Sequence, residues 1–156
     1  MYVDNNLLLS GAVSAAGVLS GQVVAITDTT ALSTNAVDLG VARDVAEGQP
    51  LFCRVTALIA ASGGTSTMFE IIASDAAAGT GNVTVIGSSG AIPVASTTAG
   101  ARFAFPILPR MANKGQRYLT ARFTTVGAVT AQSFVVDLGA DIADGQKFYA
   151  SGVAVI

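Results

Sequence analysis

Two acidic phrases carry most of this chain's potential for chemistry. Residues 37–50 read VDLGVARDVAEGQP, and residues 136–147 read VDLGADIADGQK. Brought side by side, Asp38, Asp44 and Glu47 with Asp137, Asp141 and Asp144 would offer the oxygen ligands that a hard cation such as Ca²⁺ takes. Neither phrase has the alternating Asp spacing of a calcium loop. As a glycosidase pair they would need aromatic platforms, and the chain has no Trp and three Tyr. Both phrases read as corners instead: a strand ends at Asp-Leu-Gly, the carboxylate of Asp38 or Asp137 caps backbone N–H groups, and Gly-Gln opens the next strand. No metal ligand and no cofactor is assigned. Whether the corners at 38–47 and 137–144 take a cation stays open in the sequence.

The remaining reactive groups are few. There is no histidine, which removes the usual general base near neutral pH, the commonest zinc ligand and any Ser-His-Asp triad. The one cysteine, Cys53, lies in LFCRVTALI and shares a face with Leu51, Val55, Ala57 and Ile59, so it reads as a buried structural thiol. Gly79-Thr80-Gly81-Asn82 lacks the Gly-Lys-Ser/Thr and the following helix of a phosphate loop. No catalytic residue is assigned, and the chain is not read as an enzyme.

Charge is distributed unevenly. Residues 76–136 hold Arg102, Arg110, Lys114, Arg117 and Arg122 and no carboxylate, while all ten acids lie outside that span. These cations are candidates for contact with an acidic partner or a second copy, unless folding interleaves them with acids from other strands. Five cations without an aromatic stacking stripe, in a chain of net charge −2, do not make a nucleic-acid surface.

The elements that must position these groups are strands. Phe69, Ile71 and Ala73 oppose Met68, Glu70 and Ile72; Leu119, Ala121 and Phe123 oppose Thr120 and Arg122; Phe103, Phe105 and Ile107 share a face. Period two predicts half-buried antiparallel strands near 22–27, 35–38, 50–60, 67–74, 91–95, 101–107, 117–125, 132–138 and 147–155. Gly- and Ser-rich turns separate them, and 3.6-residue spacing is not sustained anywhere. The fold class is therefore all-β, one domain, in a sandwich or barrel. The uncharged stretches 5–27 and 76–101 are too rich in Gly, Ser and Thr to span a bilayer. Residues 1–19 read as an N-terminal arm or first strand and 20–156 as the domain body. Leu7, Leu8, Leu9 and Val13 in the uncharged segment are candidates for a docking arm.

Met1-Tyr2-Val3-Asp4 leading into Leu7-Leu8-Leu9-Ser10, STNAVDLG at 33–40, Ala42-Arg43-Asp44, Gly48-Gln49-Pro50-Leu51 and RYLTARF at 117–123 resemble the cement (decoration) protein family of tailed bacteriophages, Bordetella-phage type. The resemblance is strongest over 1–10, 33–55 and 117–138, and the chain after Asp137 is longer than the family pattern. It implies a jelly-roll β-sandwich on the outer surface of the virion capsid, bridging subunits of the major capsid protein. It also implies self-association as a homodimer, with a trimer as the alternative, and no catalytic site. Such a protein would stabilise the shell by binding the assembled lattice and not its separated subunits. A different class remains in view: a receptor- or glycan-binding jelly-roll module of a tail fibre or spike. Scarce aromatics speak against sugar binding.

Overall fold

The computed structural model describes residues 5–45, 48–111 and 114–140. Apart from brief 3-10 turns, their regular structure is strand. In chain order the strands are β1 (Leu8–Ser10), β2 (Ala12–Val13), β3 (Leu19–Ser20), β4 (Gln22–Val23), β5 (Ile26–Thr27) and β6 (Thr30–Asp38). They continue as β7 (Phe52–Ile59), β8 (Ser66–Ser74), β9 (Thr84–Pro93), β10 (Arg102–Pro106), β11 (Tyr118–Val126), β12 (Ala128–Val129) and β13 (Ser133–Gly139). The predicted strand at 147–155 and the Gly-Gln pair at 145–146 lie outside the described residues.

Two antiparallel sheets carry the fold. One runs β1-β13-β7-β10, with β4 also on β13; the other runs β6-β11-β8-β9. Short pairs β12-β5 and β2-β3 hang from them. The inner faces meet in one core. Phe69 of β8 packs edge-on to Phe134 of β13 with ring centroids 4.8 Å apart, and edge-on to Phe123 of β11 at 6.0 Å. Cys53, Val55 and Ala57, Ile71 and Ala73, Leu119 and Ala121, and Val136 and Leu138 fill the rest. Each set skips every second residue, because alternate side chains leave a strand on opposite faces.

Several expectations are corrected. β9 starts at Thr84, well before 91, although Gly87-Ser88-Ser89-Gly90 reads as a turn. A Cβ on Gly87 would lie 2.9 Å from the Pro106 carbonyl oxygen. Glycine is thus used there for the close approach of β10, and two register shifts against β8 absorb the irregularity. Ile72, on the face opposite Phe69, Ile71 and Ala73, is buried as well. The Gly79 loop closes over it, with a Cβ at Gly79 falling 2.9 Å from Leu32 Cδ1 and 3.5 Å from Ile72 Cδ1. Ile59 is half exposed and not in the core, where the β13–β7 register shifts between Ser133 and Phe134.

The N-terminal segment is built into the fold. β1 and β4 lie in line along the same side of β13, Leu8 opposite Asp137 and Val23 opposite Ser133. The hairpin β2–β3 projects between them. Leu8 and Leu9 are buried and Leu7 packs against the core. These leucines are part of the body, and the exposed stretch that follows them is the hairpin. A three-residue strand has too little alternation to announce itself.

Candidate functional site

The two acidic phrases do different work. In the first, Asp38 ends β6 and its Oδ1 accepts the Gly40 N–H at 2.8 Å, the expected cap. Arg117, the residue before β11, closes on it with a two-pronged contact, Nε to Oδ1 and Nη2 to Oδ2, both 2.5 Å. The guanidinium also stands 5.1 Å from the centre of the Tyr118 ring. The hydrogen bond from Arg117, then that from Gly40, lowers the Asp38 pKa from 3.8 to about 2. The folded pKa is depressed, so the stabilisation from this pair is present above 3.8 and is lost as pH falls through about 2. Arg117→Ala is expected to return the Asp38 titration toward 3.8, read from carboxyl shifts in an NMR pH series. A midpoint unmoved by the substitution would assign the shift elsewhere.

In the second phrase the corner expectation is corrected. Val136 to Gly139 all lie within β13, where Asp137 is 1% exposed and faces Arg54 across the ladder. The two form an ion pair. Burial outweighs Arg54 and raises the Asp137 pKa. A central strand has no turn to cap, so the same four letters serve a cross-strand pair. Asp44 accepts the Met111 N–H at 2.5 Å, tying the loop after β6 to the segment after β10. Glu47, Asp141 and Asp144 lie outside the described residues. Among the described residues no three His, Cys, Asp or Glu side chains are grouped to hold a metal. Burial pushes the Cys53 thiol up, which leaves it a poor nucleophile.

The five cations are not gathered into one patch. Arg122 faces Glu70 on the outer surface of the β6-β11-β8-β9 sheet, Nε to Oε2 at 2.8 Å. Arg117 is held by Asp38. Lys114 is exposed, its Nζ 3.4 Å from Thr84 Oγ1. Arg102 begins β10 and Arg110 follows it, both exposed. Folding therefore interleaves Arg117 and Arg122 with acids from other strands, as local sequence allowed.

Uncharged surface is more prominent. The hairpin closes at Ser14–Val18: the Ser14 N–H donates to Val18 O at 2.9 Å and the Val18 N–H to Ser14 Oγ at 3.1 Å. Ser14 through Val18 are exposed, while Val13 and Leu19 are half-buried. Sequence reasoning missed this hairpin, although Gly11, Gly17 and Gly21 punctuate it. At its base lies a groove of about 440 Å³ lined by Asn6, Leu8, Gly11, Ala12, Val13, Asn35 and Ala36. A second groove, about 380 Å³, is lined by Gly48, Gln49, Pro50, Ile107 and Pro109. Between two of its lining residues, Leu108 is among the most exposed large apolar residues. Beyond the hairpin, Gln22 blunts the free edge of β6: its Nε2 donates to Leu32 O at 2.8 Å and its Oε1 accepts from Thr34 N at 3.0 Å. That is the pairing a neighbouring strand would make.

Among the described residues no helix is long and apolar enough to cross a membrane. No curated protein matches the sequence. The Bbp16 family model matches residues 18–138, from the second strand of the hairpin to the penultimate residue of β13, and so takes in nearly all of both sheets. By that match, over most of its length, the chain belongs to the Bbp16 family, a family of Bordetella phage proteins.

Proposed function

We propose that this protein is a structural component of the virion, a cement protein that binds the outside of the phage head and bridges subunits of the major capsid protein. The observation that carries the reading is how its polar groups are spent. Asp38 with Arg117, Glu70 with Arg122 and Asp137 with Arg54 are consumed in pairs between strands, while among the described residues neither the projecting hairpin nor the lining of the two grooves carries a charge. Such a surface suits docking against a large protein partner better than turnover of a small molecule.

The strand order supports a jelly roll. With β1 and β4 counted as one interrupted strand, the long strands fall as first, eighth, third and sixth in one sheet and second, seventh, fourth and fifth in the other. Two four-stranded sheets linked this way form the double Greek key of viral capsid domains. On a shell, each copy touching two tiles binds bivalently, so a modest contact per site is enough. Binding to the assembled shell alone then adds to shell stability by mass action. The hairpin, with Arg102, Arg110 and Lys114, is the proposed docking surface, and a second copy is the proposed partner in a homodimer, or in a trimer.

Adding the purified protein to heads stripped of it is expected to raise their temperature of DNA release. Electron microscopy of virions should count it in hundreds of copies on the head. A few copies at the tail would instead favour a receptor-binding module, and unchanged heat resistance on re-addition would overturn the cement reading.

A further inference from the structure

We infer that Gln22 and Asn35 are positioning residues: their carboxamides latch the two stems of the β2–β3 hairpin to β6 and so fix the direction in which its tip points. The latch stands on its own geometry; that the tip meets a shell rests on the cement reading.

A hairpin with two residues in each strand is marginal in water by itself, so what holds it upright has to lie at its base. Three bonds close the tip: Ser14 N–H to Val18 O, Val18 N–H to Ser14 Oγ, and Gly17 N–H to Ser14 O at 2.8 Å. None of them sets its bearing. On the entering stem, Asn35 Nδ2 donates to Leu8 O and to Gly11 O, each at 3.3 Å. On the leaving stem, Gln22 Nε2 donates to Leu32 O at 2.8 Å and its Oε1 accepts from the Thr34 N–H at 3.0 Å. That oxygen also lies 3.0 Å from the Ser10 hydroxyl, which reaches the Phe134 carbonyl at 3.1 Å. The backbone partners of both carboxamides can only donate or only accept, so a flipped amide would lose these bonds.

β13 supplies the floor. A Cβ at Gly11 would stand 2.5 Å from Ser20 O and 3.2 Å from Val135 Cγ2, and one at Gly21 would stand 3.1 Å from both the N and the O of Phe134. Both stems lie close on that strand because both run through glycine. The floor limits tilt toward one sheet, and the carboxamides hold the stems against the other. An element held in this way has little ordering left to do on contact, and pre-organisation of that kind adds affinity.

The test measures backbone amide order parameters and binding to stripped heads for wild type, Gln22→Ala and Asn35→Asp. Asn35→Asp keeps the size of the side chain and removes both donated bonds, so its effect does not come from packing. In both variants the order parameters of Ser14–Val18 are expected to fall from about 0.85 to below about 0.6, with those of β8 and β11 unchanged. Affinity for heads should drop about fivefold or more, although no tip residue has changed. Wild-type order at the tip of the folded variants would overturn the latch. A loosened tip with wild-type affinity would overturn the positioning role in docking and leave the cement reading standing. Failure of the wild-type protein itself to bind heads would overturn the cement reading, while the order parameters still decide the latch.

Discussion

Phe69→Ala is expected to lower the unfolding free energy by about 3–5 kcal/mol, the range for truncating a fully buried aromatic. Phe69 is 1% exposed and sits where the two sheets meet. Its ring contacts Phe134 and Phe103 from the β1-β13-β7-β10 sheet and Phe123 from its own, with centroids between 4.8 and 6.0 Å. Edge-on aromatic pairs add about 0.5–1.5 kcal/mol beyond buried area, and this residue takes part in two of them. The neighbours sit in close-packed strands that cannot collapse into the space, so the cavity term remains. Against a typical stability of about 5–15 kcal/mol, the loss is a large fraction of what holds the sheets together. Urea unfolding gives the value directly. Phe103→Ala, at the half-buried rim of the same cluster, should cost clearly less. Equal losses at the two positions would mean that the cluster does not centre on Phe69.

That cluster was legible in the sequence. The inward sets of β8 and β11 follow from alternation alone, because each strand is long enough to show its period. The two VDLG phrases show where legibility stops. Asp38 and Asp137 have identical neighbours, and what separates them is the strand that faces each. Arg117 lies 79 residues from Asp38 and Arg54 lies 83 residues from Asp137, beyond the reach of any local pattern. The candidate site was harder still. Leu7 to Leu9 read as an apolar arm because the partner that buries them, β13, comes from the other end of the chain. Only the last residues of β9 read as strand because Gly87 and Gly90 have the composition of a turn, while the reason for Gly87 is the β10 chain passing against it. The hairpin is hidden for the opposite reason: two-residue strands carry no period, and their glycines are the whole signal. Side chains spent on distant strands are visible only after the strands are ordered.

The Arg54–Asp137 pair should show an asymmetry that local sequence gives no hint of. Asp137 is 1% exposed and Arg54 18%, so losing the cation strands a buried carboxylate, whereas losing the carboxylate leaves a guanidinium that reaches water. Arg54→Met is therefore expected to cost about 3–5 kcal/mol at neutral pH, the range for breaking a buried pair by removing one partner. Asp137→Ala is expected to cost roughly 2 kcal/mol, the loss of a charge-assisted hydrogen bond. The double variant Arg54→Met with Asp137→Leu removes both charges and both desolvation costs, and should recover most of the Arg54→Met loss. pH separates this account from simple loss of packing. Burial raises the Asp137 pKa above 3.8 even with Arg54 present. The group's contribution to stability is thus full below 3.8 and declines as pH rises through the folded pKa. That is opposite in sign to Asp38, whose contribution grows as pH rises from about 2. In Arg54→Met the Asp137 pKa rises further, so the decline should shift to higher pH and steepen in total. In the double variant it should vanish. Urea melts of the four proteins from pH 3 to pH 8 measure all of this together; parallel curves for wild type and the double variant would mean that the buried carboxylate is not the titrating group.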